Sequence, residues 1–384
     1  MSAKNYLFLS LICLFLNLAC SPDEPISEEP PIENKEPSDP IDLNVNCQFF
    51  FGAWCMEYIE APEIGTEFHR FFFIDDLTGY RASRYGVIAK TVDGGVSWQL
   101  INHQDLPSPI TTEYLGPIFF IDKDHGYIGQ NCCYGNANFG PILLKTMDGG
   151  TTWEKYYMEE MKGFDDLLFF DEHNGLAIAL VDIGEPLGER QVMRTTDGGL
   201  SWSKIDLPVS RLRTVSFLRV GGNINLLSEE GTGQSIILRS TDEGQSWLEV
   251  PLPEPDCHRI HFINEQFGFA TFGERKFTEY VYETRDGGQT WEMKDHPIRY
   301  DSFIHFHDPD NGFVINTTYD YEWVSSGVYA VGNGRVLYHT TDGGATWSRA
   351  TEEEGYEFGQ FLVHQTERLV YTHGYEYFSK FAFQ

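Results

Sequence analysis

One nine-residue motif occurs six times in this chain, and it constrains the fold more than any other feature. The first copy, from Lys90 to Trp98, reads Lys-Thr-Val-Asp-Gly-Gly-Val-Ser-Trp. The tryptophans that end the copies are separated by 55, 49, 45, 44 and 56 residues. A repeat of that length is typical of one four-stranded blade of a β-propeller.

The residues of this motif predict a tight hairpin between two strands of a blade. The Thr or Ser at its second position and the Asp two places later can bond backbone N–H groups of the turn, and the glycines supply positive φ angles. The tryptophan is expected to pack against the next blade. Because near-identical copies suit a structural unit better than a single active site, we assign the motif a structural role. Its aspartates are Asp93, Asp148, Asp197, Asp242, Asp286 and Asp342, and its tryptophans are Trp98, Trp153, Trp202, Trp247, Trp291 and Trp347.

A second signature, Phe-x-Asp-x-x-x-Gly, precedes most copies of the motif, first at Phe73 to Gly79. It predicts an innermost strand A, a polar turn, and a strand B that begins at or just after the glycine. Strand C then leads into the motif and strand D follows its tryptophan. The version that starts at Phe217 is degenerate.

The two ends of the chain complement each other. Residues 360–363, 368–372 and 375–383 supply strands A, B and C of another copy, and residues 54–59 resemble the missing outer strand. Pairing these ends would close the ring and remove open sheet edges. We therefore predict an all-β fold over residues 44–384, a seven-bladed β-propeller of four-stranded antiparallel blades in which N- and C-terminal strands share one blade.

The N-terminus is typical of an exported lipoprotein. Lys4 precedes an apolar run from Leu7 to Leu18 that is too short to span a bilayer, so residues 1–19 are predicted to be a signal peptide. Asn17-Leu18-Ala19-Cys20 resembles a bacterial lipobox in which Cys20 carries lipid; cleavage without lipidation is the alternative. Residues 20–43 are acidic and rich in Pro and Glu, which predicts an extended tether. Ser21 after the cysteine favours the outer membrane, on its periplasmic or cell-surface side.

Charge limits the classes of possible partner, and cysteine content limits the possible disulfides and metal sites. A formal net charge of −31 argues against nucleic acid or an anionic membrane surface as a partner. Cys47 and Cys55 are candidates for a disulfide across a short hairpin, while the pairing of Cys132, Cys133 and Cys257 stays open. No metal-ligand spacing and no nucleotide fingerprint occurs, so we predict no metal and no cofactor.

The paired signatures resemble those of the photosystem II stability/assembly-factor family of seven-bladed propellers. The wider group has the Asp-box, or BNR-like, repeat and includes sialidases, xyloglucanases and sortilin; we call the nine-residue motif the Asp-box. The resemblance covers roughly residues 50–384 and implies the fold. It implies little about function, because function depends on sites carried by a fold.

Four insertions between strands B and C are expected on the face opposite the Asp-boxes, which we call the top face. Loops that collect on one face of a rigid scaffold commonly carry binding residues, although tolerated length variation would give the same pattern. The insertions are Gly129–Pro141, Val181–Gln191, Gly273–Tyr280 and Asn316–Arg335.

Two groups of residues are candidate ligand contacts on that face. Arg70, Arg213 and Arg259 are expected above strands A, where they could bind a carboxylate, as in the arginine triad of sialidases that they vaguely resemble. The alternative is that they form ion pairs with Asp165, Asp166 and Asp301. The aromatic residues Tyr319, Tyr321 and Trp323 suit contact with a sugar or peptide, or else they pack the longest insertion.

These features predict a lipid-anchored, non-enzymatic binding or assembly propeller of the cell envelope. We expect a monomer that holds a protein or glycan on its top face. The alternative is a glycosidase of sialidase or xyloglucanase type, but such chemistry needs two carboxylates at a defined separation. Nothing in the sequence pairs two of them, so no catalytic residue is predicted.

Overall fold

The computed structural model describes most of the chain after residue 48. The described residues are 49–51, 54–60, 68–83, 86–101, 115–130, 141–159, 161–181, 189–209, 211–214, 216–229, 233–274, 278–294, 297, 303–324, 327–350, 361–365, 369–373 and 377–383. The predicted signal peptide and tether, with Cys20, lie outside them. Within these residues, no helix has the length and apolar character needed to cross a bilayer.

Six blades are each built from strands that follow one another in the chain. Blade 1 contains β3 (Phe68–Phe73), β4 (Gly79–Ser83), β5 (Ile88–Thr91) and β6 (Gln99–Leu100). Blade 2 contains β7 (Leu115–Phe120), β8 (Gly126–Gln130), β9 (Ile142–Thr146) and β10 (Glu154–Tyr157). Blade 3 contains β11 (Met161–Phe169), β12 (Gly175–Val181), β13 (Glu189–Thr195) and β14 (Ser203–Lys204).

The other three blades follow the same order, A to D. Blade 4 contains β15 (Arg211–Leu212), β16 (Leu218–Val220), β17 (Asn223–Glu229), β18 (Ser235–Ser240) and β19 (Leu248–Pro251). Blade 5 contains β20 (Cys257–Phe262), β21 (Gly268–Glu274), β22 (Thr278–Thr284) and β23 (Glu292–Lys294). Blade 6 contains β24 (Phe303–Phe306), β25 (Gly312–Val324), β26 (Gly327–Thr340) and β27 (Ser348–Arg349). The predicted four-stranded antiparallel blade is confirmed.

Blade 4 departs from the pattern where its signature is degenerate. Its inner strand is divided into β15 and β16, which both pair with β17. Glu265 of blade 5 supports the irregular turn, since its Oε1 accepts the Gly222 N–H at 2.9 Å. Blade 4 therefore lacks both the aspartate of the Phe-x-Asp-x-x-x-Gly signature and a continuous inner strand.

A further sheet joins the two ends of the chain. It contains β1 (Phe49–Phe51), β2 (Trp54–Glu60), β28 (Phe361–Gln365), β29 (Leu369–His373) and β30 (Tyr377–Phe383). Its order is β1-β2-β30-β29-β28, and Trp54 lies opposite Phe383 in the register of β2 with β30. The predicted pairing of N- and C-terminal strands is confirmed. In the part of the chain that is described, there are six complete blades, not the predicted seven. The predicted seventh depends on this sheet, whose side chains are outside the described part.

Each Asp-box is a hydrogen-bonded turn whose bonds are made within the motif. In blade 1, Asp93 Oδ1 accepts the Thr91 O–H at 2.8 Å and the Ser97 N–H at 2.9 Å, while Oδ2 accepts the Ser97 O–H at 2.6 Å. Thr91 Oγ1 accepts the Gly95 N–H at 2.9 Å. Gly94 and Gly95 have φ of 71° and 88°, so the predicted positive angles are confirmed.

The second signature forms an Asx turn beneath a phenylalanine ring. Asp75 Oδ1 accepts the N–H groups of Leu77 and Thr78 at 2.9 and 2.6 Å. Strand β4 then begins at Gly79, as predicted, where a Cβ atom would lie 2.6 Å from the ring of Phe73. Glycine is therefore required there for close packing of the chain on the ring.

The hydrophobic core lies between neighbouring blades. Tyr80 of blade 1 stacks on Phe120 of blade 2 with 3.9 Å between ring centroids, and Tyr127 of blade 2 stacks on Phe169 of blade 3 at 3.6 Å. Trp153 of blade 2 packs in the cluster that contains Tyr80. Trp153 also meets Phe120 of its own blade edge to face, with 6.2 Å between ring centroids. For this copy, the expectation that the tryptophan packs against the next blade is wrong, since it packs within its own blade and against the preceding one.

The residue that opens the Asp-box links one blade to the next. Lys90 Nζ donates to the carbonyl of Gly149 at 3.0 Å, Arg194 Nη2 to that of Glu243 at 2.6 Å, and Arg239 Nη1 to that of Gly287 at 2.5 Å. Each acceptor is the first residue of the Gly-Gly pair, or its replacement, in the following blade. The repeat therefore encodes contacts between blades as well as local turns.

Candidate binding face

The order of strands places all B-to-C connections at the end of the blades opposite the Asp-boxes. Three of the four predicted insertions have their central residues outside the described part of the chain, at 131–140, 182–188 and 275–277. The fourth, Asn316–Arg335, is described except for residues 325–326. The backbone of this insertion is therefore described over most of its length, unlike that of the other three.

This fourth insertion is a β-ribbon, whereas the sequence predicts a loop. Strands β25 and β26 continue past the blade, and their antiparallel register runs from Gly312 opposite Thr340 to Val324 opposite Gly327. Tyr319, Tyr321 and Trp323 occupy alternate positions of β25, so these residues share one face of the ribbon. The ribbon therefore brings together the predicted aromatic residues by backbone geometry.

The inner strands share an irregularity at their top ends. Register shifts occur between Phe68 and Arg70 in β3, between Phe164 and Asp166 in β11, and between Cys257 and Arg259 in β20. A β-bulge redirects side chains and commonly marks the rim of a sheet near a site. Arg70, Asp166 and Arg259 thus occupy equivalent positions in alternate blades.

Arg70 and Arg259 are exposed, and Arg213 is half-buried. Arg213 Nη1 lies 3.5 Å from Glu229 Oε2 and 3.5 Å from Asp256 Oδ1. The ion pairs predicted for the three arginines are with Asp165, Asp166 and Asp301, so the prediction is wrong for Arg213. Asp301 lies outside the described residues. The arginine is held by acids of its own blade and of the segment that leads into blade 5.

Asp165 has a partner that sequence reasoning missed. Arg190 Nε donates to Asp165 Oδ2 at 2.7 Å within blade 3. The two residues are 25 positions apart, on β13 and β11, and meet only because both strands pair with β12.

Asp166 connects two blades through its carboxylate. Its Oδ2 accepts the Phe217 N–H of blade 4 at 2.7 Å, and its Oδ1 accepts the Leu167 N–H at 2.9 Å. Burial raises the pKa of Asp166 to about 7, against the lowering effects of these N–H groups and of the positive charge on Arg70. Arg70 therefore acts on one of the predicted acids, but the carboxylate itself is bonded to backbone.

Histidines of blades 5 and 6 lie close together on adjacent inner strands. Burial, followed by the charge on Arg259, lowers the pKa of His261 to about 4. Burial likewise lowers the pKa of His305, which is 1 % exposed. Both rings are neutral at pH 7. In the described part of the chain, no group of three or more His, Cys, Asp or Glu residues is arranged to hold a metal ion.

The cysteine predictions fall mainly outside the described structure. Cys257 is a free, fully buried thiol, and burial raises its pKa to about 12, which makes it unreactive. Cys47, Cys132 and Cys133 lie outside the described residues, and only the backbone of Cys55 is described, in β2. The Cys47–Cys55 disulfide stays a prediction.

Two acids on this face, Asp165 and Asp166, are both engaged in hydrogen bonds. Asp165 is occupied by Arg190, and Asp166 accepts backbone N–H groups with both oxygens. A glycosidase needs one carboxylic acid and a second carboxylate free to act on the substrate. These two acids are instead engaged in structural hydrogen bonds.

Comparison with known proteins agrees with this architecture. The model of the family described as "Photosynthesis system II assembly factor YCF48" matches residues 254–355, which include blades 5 and 6. No curated protein matches the chain. The chain is a BNR-like propeller that resembles this assembly-factor family.

Two solved structures are similar over most of the chain. "YCF48 bound to D1 peptide" has 14% sequence identity and a TM-score of 0.61, covering 88% of this chain and 98% of that chain. "YCF48 from Cyanidioschyzon merolae" has 14% identity and a TM-score of 0.58, covering 86% of this chain and 99% of that chain. Identity at this level shows a common fold.

Proposed function

We propose that this chain is a non-enzymatic binding propeller that holds a segment of another protein on its top face. The β25–β26 ribbon carries the proposal, because it projects beyond a rigid blade on the side where the insertions collect. The similar structure titled "YCF48 bound to D1 peptide" supports a peptide as the class of ligand. A glycan ligand remains a prediction from the aromatic residues alone.

We also propose that the chain-end sheet is a seventh blade that closes the ring. Strand β28 contacts β3 of blade 1, as the inner strands of neighbouring blades contact one another. Strand β2 would serve as the outer strand, paired to β30. Closure of this kind removes the exposed edges that an open sheet would leave.

The anchor is a separate part of the proposal. The lipobox-like segment at Cys20 supports lipid attachment, and Ser21 after the cysteine supports the outer membrane of a cell envelope as the location. Metabolic labelling with a fatty-acid analogue should mark the wild-type chain and not Cys20→Ala. Equal labelling of both would refute the anchor without affecting the binding proposal.

Binding is tested with the purified full chain on an array of peptides that tile exported proteins of its own envelope. We expect saturable binding to a subset of peptides and no turnover of sialosides or polysaccharides. The matched variant joins Asn316 to Val336 by an Asn-Gly turn, which shortens the ribbon and keeps the blade. Absence of binding by the intact chain refutes the function, and turnover favours the glycosidase alternative.

A further inference from the structure

Exposed hydrophobic side chains are concentrated on one face of three neighbouring blades. We call the face that holds the Asp-boxes, opposite the top face, the bottom face. Ten large hydrophobic side chains are exposed among the described residues, and five of them lie on the bottom face of blades 1 to 3. These five, which we call the apolar patch, are between 41 and 68 % exposed: Leu77, Val92, Val96, Met147 and Leu200. The other five lie on strands β6, β10, β19, β22 and β23, so none of the ten lies on the bottom face of blades 4 to 6.

The turns themselves do not require these apolar residues. In blades 1 to 3, the third position of the Asp-box is Val, Met or Thr and the seventh is Val, Thr or Leu, whereas blades 4 to 6 have Thr or Arg at the third and Gln or Ala at the seventh. With Thr241 and Gln245 at these positions, Asp242 still accepts the Ser240 and Ser246 O–H groups at 2.8 and 2.6 Å. Clustered, exposed apolar residues without a role in folding indicate an interaction surface.

Contacts between successive Asp-boxes make the apolar patch continuous. Lys90 Nζ of the first box donates to the Gly149 carbonyl of the second at 3.0 Å. A Cβ atom at Gly198 of the third box would lie 2.7 Å from Lys145 Nζ of the second. At this end of blades 1 to 6, every A-to-B and C-to-D connection lies within the described residues. No turn of these six blades therefore covers the patch.

Carboxylates surround the apolar patch. The A-to-B turns of blades 1 to 3, residues 74–78, 121–125 and 170–174, contain six acids and one lysine. That lysine, Lys123, is engaged by Asp124 at 2.5 Å. Asp75, Asp171 and Glu172 are exposed. The surface thus combines aliphatic side chains with negative charge, which complements a segment that is both apolar and basic.

Charge also separates the possible occupants of this surface. A second copy would bring the same acidic turns and a formal net charge of −31. Residues 21–42 of this chain carry eight acids and one lysine, so the acidic turns repel them as well. Anionic lipid headgroups are disfavoured for the same reason. A basic partner protein is the occupant that the surrounding charges attract.

We infer that the apolar patch is a second docking surface, which binds a segment of a partner protein that presents aliphatic side chains flanked by lysine or arginine. Contact with Val92, Met147 and Leu200 would supply affinity by removing apolar surface from water. The acids of the A-to-B turns would select the basic residues. This surface lies on the face opposite the one that carries the proposed function, so the chain would bind two partners on opposite faces.

The probe is the fluorescein-labelled peptide (Leu-Lys-Lys-Leu)4, titrated into the full chain by fluorescence anisotropy. We expect saturable binding, at least tenfold tighter than that of (Ser-Lys-Lys-Ser)4, which lacks apolar residues, and of (Leu-Glu-Glu-Leu)4, which has the opposite charge. The patch variant, Val92→Thr with Met147→Thr and Leu200→Gln, should weaken binding by at least tenfold. Its new residues are those that other copies of the Asp-box have at the same positions, so the turns should fold.

A matched control removes the same number of exposed hydrophobic side chains elsewhere. Leu100→Gln with Leu248→Gln and Met293→Gln changes residues of the outer strands β6, β19 and β23. Binding of the probe should stay within about twofold of the parent, because single exposed apolar residues are ordinary features of a protein surface.

The contribution of charge is tested with Asp75→Asn and Asp171→Asn together. Asn264 makes the equivalent Asx turn in blade 5, where its Oδ1 accepts two backbone N–H groups at 2.9 and 2.8 Å, so the variant should keep its turns. We expect at least threefold weaker binding of the probe at low salt and a smaller effect of added salt. The control, Glu159→Gln with Glu249→Gln, removes two exposed acids far from the patch in sequence and should weaken binding less.

Four outcomes would overturn the inference. Equal binding of the probe by the parent and the patch variant would place the contact elsewhere. Self-association of the parent in sedimentation that the patch variant loses would make a second copy the occupant. A crosslink from a photoreactive residue at position 92 to residues 1–48 of the same molecule would make the N-terminal segment the occupant. Binding of the Cys20→Ala chain to phosphatidylcholine vesicles that is lost in the patch variant would make a lipid surface the occupant.

The shortened-ribbon variant separates this inference from the proposed function. It lacks the ribbon of the top face and keeps the apolar patch, so it should bind the probe as the parent does. Loss of probe binding in that variant would place the probe on the top face and contradict the inference. Failure of the peptide array with the intact chain would refute the proposed function alone.

Discussion

At the residue scale, the Asp-box is a set of short, local hydrogen bonds that lower the pKa of its aspartates. Bonds from the side chain and backbone of Ser246 hold the pKa of Asp242 at about 2. The same box contains an exception, because Glu243 stands where the other copies have their first glycine and has a φ of 58°. Glu243 therefore has a left-handed backbone conformation, which is strained for a residue with a Cβ atom and which glycine adopts without cost.

Glu243→Gly should stabilise the protein by up to about 1 kcal/mol. The left-handed conformation costs a non-glycine residue roughly 1–2 kcal/mol, which the substitution removes. The greater freedom of glycine in the unfolded chain offsets part of this gain. Chemical denaturation measures the change. Gly198→Glu is the matched opposite substitution, at a φ of 74° where a Cβ would lie 2.6 Å from the Glu172 carbonyl oxygen. It should destabilise by about 1–3 kcal/mol. A lower stability of Glu243→Gly would contradict this account.

Asp166 should make stability depend on pH. Its pKa is raised to about 7 by burial, so folding favours the protonated form. Its full contribution is present below about pH 4, where folded and unfolded states are both protonated, and is lost as the pH rises to about 7. Asp166→Asn should therefore gain on the order of 3 kcal/mol relative to the parent between pH 4.5 and pH 7.5.

The measurement for Asp166 is urea denaturation at the two pH values. The control is Asp206→Asn, a change at an exposed carboxylate. A stability difference between parent and Asp166→Asn that is the same at both pH values would show that burial does not set the titration of this group. The absolute stability of the variant is not diagnostic, because an amide cannot accept both N–H groups.

At the scale of elements, stacked rings join some neighbouring blades, and the basic residue that opens the Asp-box joins blades 1, 3 and 4 to the blade that follows. Arg239 of blade 4 illustrates the arrangement: Nε donates to Asn225 Oδ1 at 2.7 Å, and Nη1 donates to the Gly287 carbonyl at 2.5 Å. Its guanidinium also lies 5.1 Å from the ring centroid of Phe262. In blade 5 the opening residue is Glu283, whose Oε1 accepts from Arg285 Nε at 2.6 Å.

Arg239→Met should destabilise the protein by about 1–3 kcal/mol, since it leaves the acceptors Asn225 Oδ1 and Gly287 O without their donor. Thermal unfolding by circular dichroism measures the loss. Arg349→Met removes an exposed arginine from β27 and should change stability by less than about 0.5 kcal/mol. Equal effects of the two substitutions would mean that the contact between blades 4 and 5 does not depend on this side chain.

At the scale of the whole molecule, the pairing of β2 with β30 joins residues more than three hundred positions apart in the chain. The six blades are assembled from consecutive segments, so the chain-end sheet is the one that depends on both termini. Its strand order brings β1 and β2 to one side of β30 and β29 to the other. Removal of the N-terminal strands would expose the full edge of β30.

Deletion of residues 1–60 should lower the melting temperature by on the order of 10 °C, because a loss of several kcal/mol has that effect in a domain of this size. The exposed edge of β30 should also promote association. Deletion of residues 1–42 is the matched control, since it leaves every described strand intact. Scanning calorimetry and sedimentation would check both. Equal stability of the two truncations would argue against closure of the ring by this sheet.

The sequence determined the parts of this protein that depend on short stretches of chain. The Asp-box turns, the Asx turn before Gly79 and the start of strand B each follow from residues within one hairpin, where Gly, Asp and Thr have few alternative conformations. The repeat length indicated the blade, and the likeness of residues 54–59 to an outer strand predicted their pairing with the C-terminus.

Tertiary structure alone decided which distant groups meet. It paired Asp165 with Arg190 and Arg213 with Glu229 and Asp256, directed Trp153 to the preceding blade, and continued the Asn316–Arg335 insertion as a ribbon. These outcomes depend on bulges, strand register and the side of each blade that faces its neighbour. Such geometry is set by the packing of whole sheets, so residue types near one another in sequence do not reveal it.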